Sequence, residues 1–218
     1  MTDFKAVIFD MDGLMFDTET IYFQANQKTA DRVGLDFTKD FYLDHVGGSE
    51  RDFFQAMYDH FEEKDKVDRF MEESQKDVYD LLTSDQVPKK EGLMDLLDYL
   101  QKEGIQMVVA SSSDKWLVDK VVTINGVKDY FVDLVGGDEV DQTKPEPDIF
   151  LMALGKLGTR KDETLVLEDS LNGVRAGHAA GLATIMIPDL IQPGPEAESK
   201  SLATVSYTHL TLPTSDLV

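Results

Sequence analysis

Cysteine is absent from the 218 residues. That absence removes disulfides, thiolate catalysis, zinc–thiolate sites and iron–sulfur clusters. Basic residues are scarce, 21 against 42 acids, for a net charge of −21. A surface that acidic repels phosphate backbones and anionic lipid, so neither nucleic acid nor a membrane is an expected partner. Any anionic ligand needs a local cation, a lysine or a metal. Long apolar runs are also missing: Leu182 to Ile187 is broken by Thr184, and a membrane helix takes ~20 residues. Met1 to Gly13 carries acids where a secretion signal has a basic flank and a long apolar stretch. No Asn-x-Ser/Thr sequon occurs. A cytoplasmic protein is expected. What is present, 42% hydrophobic and 29% charged residues, is the composition of a globular chain. At about 100–200 residues per domain, that is one large domain or one domain carrying an insert.

The first periodic segment, Lys5 to Phe9, is β-branched and aromatic and stops at Asp10. It reads as a buried strand followed by a turn at Asp12-Gly13. From Asp17 to Pro88 apolar residues recur three and four apart, as in Phe53, Met57 and Phe61, which predicts helices over Thr18–Val33, Ser49–Phe61 and Lys64–Leu82. Beyond Pro88 strand and helix patterns alternate. Helices are predicted at Glu91–Lys102, Asp114–Ile124, Pro147–Leu157 and Leu171–Ala180, and strands at Gln106–Ala110, Tyr130–Val135, Thr164–Leu167 and Ala183–Ile187. Repeated strand–helix units imply right-handed crossovers and a parallel sheet covered on both faces. The fold class is therefore α/β: a Rossmann-like three-layer parallel sheet core with an inserted α-helical cap domain. Residues 1–16 and 89–204 form the core and 17–88 the cap.

Active sites of such sheets lie at the carboxyl ends of the strands. The polar residues just past each predicted strand are Asp10-Met11-Asp12-Gly13, Ser111-Ser112-Ser113, Lys144-Pro145 and Glu168-Asp169-Ser170. Together they offer carboxylates, hydroxyls and one ammonium. That set suits phosphoryl transfer: oxygen ligands for Mg²⁺, a cation for phosphate, and an aspartate able to act as nucleophile. A second aspartate two residues on lies on the same side of the strand end and can move a proton. Each residue also has a bland reading: Asp12-Gly13 as a turn, Ser111 as a helix cap, Lys144 as a solvated lysine, and Glu168 and Asp169 as caps of the following helix. Those readings would have to hold together at four strand ends, in order.

Phe9-Asp10-Met11-Asp12-Gly13-Leu14, Ser111, Lys144-Pro145-Glu146-Pro147-Asp148 and Glu168-Asp169-Ser170 resemble the four motifs of the haloacid dehalogenase-like superfamily, in order and spacing. The resemblance spans residues 4 to 204. It implies Asp10 as nucleophile and Asp12 as general acid/base, with Ser111, Ser112 and Lys144 on the phosphoryl oxygens. It further implies Mg²⁺ on Asp10, the Asp12 carbonyl and Asp169, with Glu168 in support. The insert resembles the small helical cap of the β-phosphoglucomutase and phosphatase branch, which places Glu19, Tyr22, Gly48 and Ser49 near the substrate. Tyr22 stands where the mutase pattern has a histidine, and Glu50 where it has an arginine. Asp17-Thr18-Glu19 instead resembles phosphatases of small sugar or nucleoside monophosphates. The implied activity is a Mg²⁺-dependent phosphatase of a small phosphorylated metabolite working through an aspartyl-phosphate. A hexose phosphate mutase and a non-catalytic scaffold on the same fold are the alternatives, and a monomer is expected.

Other features read as structural. His45, His60, His178 and His209 have no metal spacing. Gly173, Gly177 and Gly181 suggest close helix packing, Trp116 suggests packing, and the acidic stretch Asp59–Asp80 suggests a solvated helix face. The string Val205 to Ser215 back-translates as a transposase adapter of the kind used in sequencing-library preparation. Residues 205–218 are therefore expected to be a non-native tail that packs poorly.

Overall fold

The computed structural model describes residues 4–45, 50–85, 87–187 and 205–206. Among them the chain begins with β1 (Ala6–Phe9) and four helices, α1 (Thr18–Val33), α2 (Lys39–His45), α3 (Glu50–His60) and α4 (Lys64–Ser84). Next come α5 (Leu93–Lys102), β2 (Gln106–Ala110), α6 (Lys115–Ile124), β3 (Asp133–Val135) and α7 (Asp148–Leu157). β4 (Thr164–Glu168), α8 (Leu171–Ala180), β5 (Ala183–Met186) and β6 (Val205–Ser206) complete it. The chain divides into two compact units, residues 1–17 with 88–218, and residues 18–87. Among the described residues no helix is long and apolar enough to cross a membrane.

The first unit is a parallel sheet in the order β3-β2-β1-β4-β5-β6. Strand direction follows from the crossovers: each strand feeds a helix that packs back onto the sheet. Alternation along the strands sorts the core. Ala6 and Ile8, Val108 and Ala110, and Val166 bury one face against Ile149, Phe150 and Ala153 of α7 and Ala176 and Ala180 of α8. The intervening Phe9 points to the other face, where its ring meets Phe131 edge-on at 5.8 Å. The Rossmann-like architecture read from the sequence is the one observed.

The differences are local and have causes. Tyr130–Val135 is not one strand: residues 128–130 form a 3-10 turn and pairing with β2 begins at Asp133. β3 is an edge, and its exposed side is charged. Lys115 Nζ donates to the Leu134 carbonyl, and Lys156 pairs with Asp133 at 3.0 Å. Both devices oppose edge-to-edge pairing. Trp116, read as a packing residue, is 49% exposed. The expected tail begins with Val205–Ser206 paired in parallel to Ile185–Met186; residues 207–218 lie outside the described residues.

The second unit holds α1 to α4. Phe37 is the hub of an aromatic core, with ring centroids 5.7 Å from Phe41 and 5.8 Å from Phe70. Helix α2, missed in the sequence, is only 7 residues long and adds Phe41 and Tyr42 to that core. The acidic stretch is not wholly solvated. Asp77 is 4% exposed; it accepts hydrogen bonds from Thr29 (2.7 Å) and pairs with Lys28 (2.8 Å) and Arg32 (2.6 Å). A buried carboxylate persists only with such compensation.

Candidate active site

Sheet register builds the site. Phe9, the last residue of β1, is level with Val109 of β2 and Leu167 of β4. The next residue, Asp10, therefore comes level with Ala110 and Glu168, and its amide donates to Leu167 O at 3.0 Å. β1 lies where the strand order turns, with β2 and β3 on one side and β4 and β5 on the other. Crevices form at the carboxyl end of a sheet at such a point.

Lys144, on the loop between β3 and α7, closes this crevice. Its Nζ donates to Asp10 Oδ1, to Glu168 Oε1 at 2.7 Å and to Ala110 O at 3.1 Å. The side chains of Lys144, Asp10 and Glu168 are all under 10% exposed. Burial by itself would lower the lysine pKa, but Asp10 and Glu168 outweigh it and hold the ammonium above its usual range. Burial pushes Asp10 well above the ordinary carboxylate value; Lys144 opposes this, while Glu168 and Asp12 add to it.

The Glu168 carboxylate is held at both ends. Oε2 accepts from the amide (2.9 Å) and hydroxyl (3.0 Å) of Ser170. Ser170 Oγ in turn accepts from Gly173 N at 3.0 Å and caps α8. The cap is thus Ser170, and Glu168 orients it. Gly173 lets α8 pack closely over this carboxylate: an added Cβ would lie 1.8 Å from Glu168. Gly177 packs likewise on β5, where a Cβ would lie 2.3 Å from Thr184 Oγ1.

Asp12 faces the loop after β2. Its Oδ2 accepts from Ser111 Oγ (2.9 Å) and from Ser113 Oγ (3.0 Å). Ser112 is exposed. The sequence reading chose Ser111 and Ser112 from the three serines and passed over Ser113. The signal was available, since residues two apart in an extended segment share a side.

Residues 7–187 match the family of haloacid dehalogenase-like hydrolases. The chain belongs to that family. It is 31% identical to the phosphorylated carbohydrates phosphatase of Thermotoga maritima, over 83% of each chain. It is 30% identical to the probable pseudouridine-5'-phosphatase of Drosophila melanogaster, over 84% of this chain and 80% of the relative. The crystal structure of CbbY from Rhodobacter sphaeroides superposes with a TM-score of 0.75 over 95% of each chain, at 23% identity, so the fold is shared. The chain is an enzyme of the haloacid dehalogenase-like hydrolases.

The donor set fits a hard divalent cation. Asp10, Glu168 and Asp169 each offer a carboxylate oxygen, and the three oxygens lie within 4.8 Å of one another. All are oxygen donors, the type preferred by small hard ions. Both Glu168 oxygens already accept, Oε1 from Lys144 and Oε2 from Ser170, whereas Lys144 meets Asp10 through Oδ1, so Glu168 is the least available ligand of the three.

The remaining candidates belong to the second unit. Glu19 Oε2 accepts from the Tyr42 hydroxyl at 2.9 Å. Burial, and then the charge of Glu19, holds that phenol protonated. Tyr42 was missed because it lies 23 residues away on the unpredicted α2. Tyr22 is half-buried against the aromatic core. Gly48 and Ser49 lie outside the described residues.

Proposed function

We propose that this hydrolase is a Mg²⁺-dependent phosphatase of a small phosphorylated metabolite, a sugar phosphate or nucleoside monophosphate, and that it works in the cytoplasm as a monomer. The observation that carries the reading is the buried Lys144 bridging Asp10 and Glu168, with Asp12 held two residues beyond Asp10 by serine hydroxyls. The kinship with a phosphorylated carbohydrates phosphatase supports the substrate class.

In this reading an Asp10 carboxylate oxygen attacks phosphorus and the bond to the leaving oxygen breaks. Asp12 gives that oxygen its proton, so the alcohol departs and an aspartyl-phosphate remains. Asp12 then takes a proton from water as it attacks phosphorus, and phosphate and free Asp10 are regenerated. Lys144, Ser111 and the Ser112 backbone hold the phosphoryl oxygens. Asp10, the Asp12 carbonyl and Asp169 would hold Mg²⁺, which supplies neutralisation of phosphoryl charge. Residues 17–88 would serve as the cap, with Glu19, Tyr22, Gly48 and Ser49 as the residues that select the substrate. A cap that excludes water protects the step.

The test is phosphate release from a panel of sugar and nucleoside monophosphates, with and without Mg²⁺, beside Asp10→Asn. Metal-dependent release is expected, with a loss of at least ~10³-fold in the variant. Interconversion of hexose phosphates without phosphate release would replace this reading with a mutase. A folded protein inactive in both assays would favour the scaffold alternative.

A further inference from the structure

Asp12 needs its carboxyl oriented at the moment when the group beside it changes partners. Ser111 and Ser113 both donate to the same oxygen, Oδ2. Each hydroxyl has a single proton to give. Ser111 Oγ also accepts from the amide of Ser113 at 3.0 Å, and because a phosphoryl oxygen only accepts, Ser111 can meet it only by donating its one proton. When a phosphoryl oxygen accepts the Ser111 hydrogen bond in place of Asp12, Ser111 lets go of Oδ2. Of the two hydroxyls, only that of Ser113 then stays on Oδ2. We propose that Ser113 is the positioning residue that keeps Asp12 aimed at the leaving oxygen while substrate occupies Ser111. This rests on the phosphatase reading above.

The backbone around Ser113 is built for that task. Gly137 N donates to Ser113 O at 2.8 Å. The Asp138 carboxylate accepts from Lys115 N at 2.7 Å, capping α6 from a different loop, while Asp114 at the N-cap makes no side-chain cap bond. The two loops touch so closely that only glycine fits. A Cβ on Gly136 would lie 2.2 Å from Lys115 N, and one on Gly137 would lie 2.2 Å from Ser112 O. The Glu139 carboxylate adds bonds to Gly136 N (2.9 Å) and Lys115 Nζ (3.2 Å). Ser113 is therefore fixed by protein groups, independent of the substrate, as orientation to a fraction of an ångström requires.

The experiment compares kcat/KM for a hexose phosphate and for p-nitrophenyl phosphate. The ratio reports the steps up to departure of the leaving group, and only the sugar alkoxide needs a proton to leave. Ser113→Ala is expected to lose about 10–100-fold on the hexose phosphate, part of the 10²–10⁴-fold worth of a positioned acid, and less than about 3-fold on p-nitrophenyl phosphate. Ser113→Thr, which keeps the hydroxyl, is expected to restore the hexose phosphate activity. Ser111→Ala is expected to lower both substrates alike. If Ser113→Ala unfolds, Ser113→Cys keeps the shape with a weak donor and should show the same selective loss. Equal losses on both substrates, or none, overturn the assignment while leaving the phosphatase in place. Wild-type protein that releases phosphate from neither substrate overturns the phosphatase reading and this assignment with it.

Discussion

Gly173→Ala puts one methyl group where the structure has no room. The new Cβ would stand 1.8 Å from both Cδ and Oε1 of Glu168 and 2.3 Å from Oε2. A Cβ essentially never comes within 3.0 Å of another group, and ordinary contact begins at 3.4 Å, so α8 or the carboxylate must move by more than an ångström. Glu168 has nowhere to go, because Oε1 is 2.7 Å from Lys144 and Oε2 is 2.9 Å from Ser170 N. Overpacking costs about 1–3 kcal/mol. Losing a buried ion pair by displacing one partner costs up to about 3–5 kcal/mol. Alanine returns about 1 kcal/mol of helix propensity. Displacing the carboxylate relieves the overlap, so the ion-pair cost less the propensity gain applies: a net loss of about 2–4 kcal/mol, or roughly 4–16 °C in Tm for a chain of this size. Phosphate release should fall with it, because Lys144 loses one of its anchors. Gly155→Ala is the control. It is also helical, but a Cβ there meets nothing within 4 Å, so it should gain about 0.5–1 kcal/mol. Thermal melts and steady-state assays of both variants decide the matter. A Gly173→Ala protein with wild-type Tm and turnover would refute the reasoning.

Two further outcomes follow from the second unit. Burial alone would raise the Asp77 pKa, but hydrogen bonds from Arg32, Lys28 and Thr29 outweigh it and hold it well below the ordinary value. Its stabilising contribution is therefore full above its unfolded pKa of about 3.9 and is lost as pH falls toward the folded value. Between pH 5 and 2 the Tm of wild type should fall more steeply than that of Asp77→Asn, and parallel curves would contradict the assignment. Tyr42→Phe removes the hydroxyl that fixes Glu19. It should cost about 1–3 kcal/mol of stability and raise KM for a sugar phosphate but not for p-nitrophenyl phosphate; an unchanged KM for both would separate Glu19 from substrate.

The parts of the molecule legible in its sequence were those whose signal is local. β1 could be read from five consecutive residues, and the site followed from one general rule about strand ends, because register forces Asp10, Ala110 and Glu168 level with one another. Pairings between distant side chains carry no such signal. Thr29 meets Asp77 across 48 residues, and Ser113 meets Asp12 across 101. Both depend on how helices and loops are laid together. Gly173 was visible as a glycine in a helix, and its spacing with Gly177 suggested helix packing. The object it makes room for is a carboxylate belonging to the preceding strand, a placement that depends on how α8 returns onto β4.

The charges of the site lead to a last test. Asp10, Asp12, Glu168 and Asp169 are four carboxylates, and Lys144 is a buried ammonium paired with two of them, Asp10 and Glu168. A cluster with that excess of negative charge, in a chain of net charge −21, repels a phosphate dianion. Lys144 is already committed to two carboxylates and cannot reverse that sign. Phosphate should therefore bind only once a divalent cation has joined the cluster. Inorganic phosphate alone is expected to leave Tm unchanged, and Mg²⁺ alone to raise it. Both together should raise it further, each by RT ln(1 + [L]/Kd), about 2.7 kcal/mol at a hundredfold excess over Kd. Asp169→Asn should weaken the Mg²⁺ response and with it the phosphate response. Stabilisation by phosphate in the presence of a chelator would show that Lys144 and the serine loop suffice as the anion site, and would remove the metal from substrate binding.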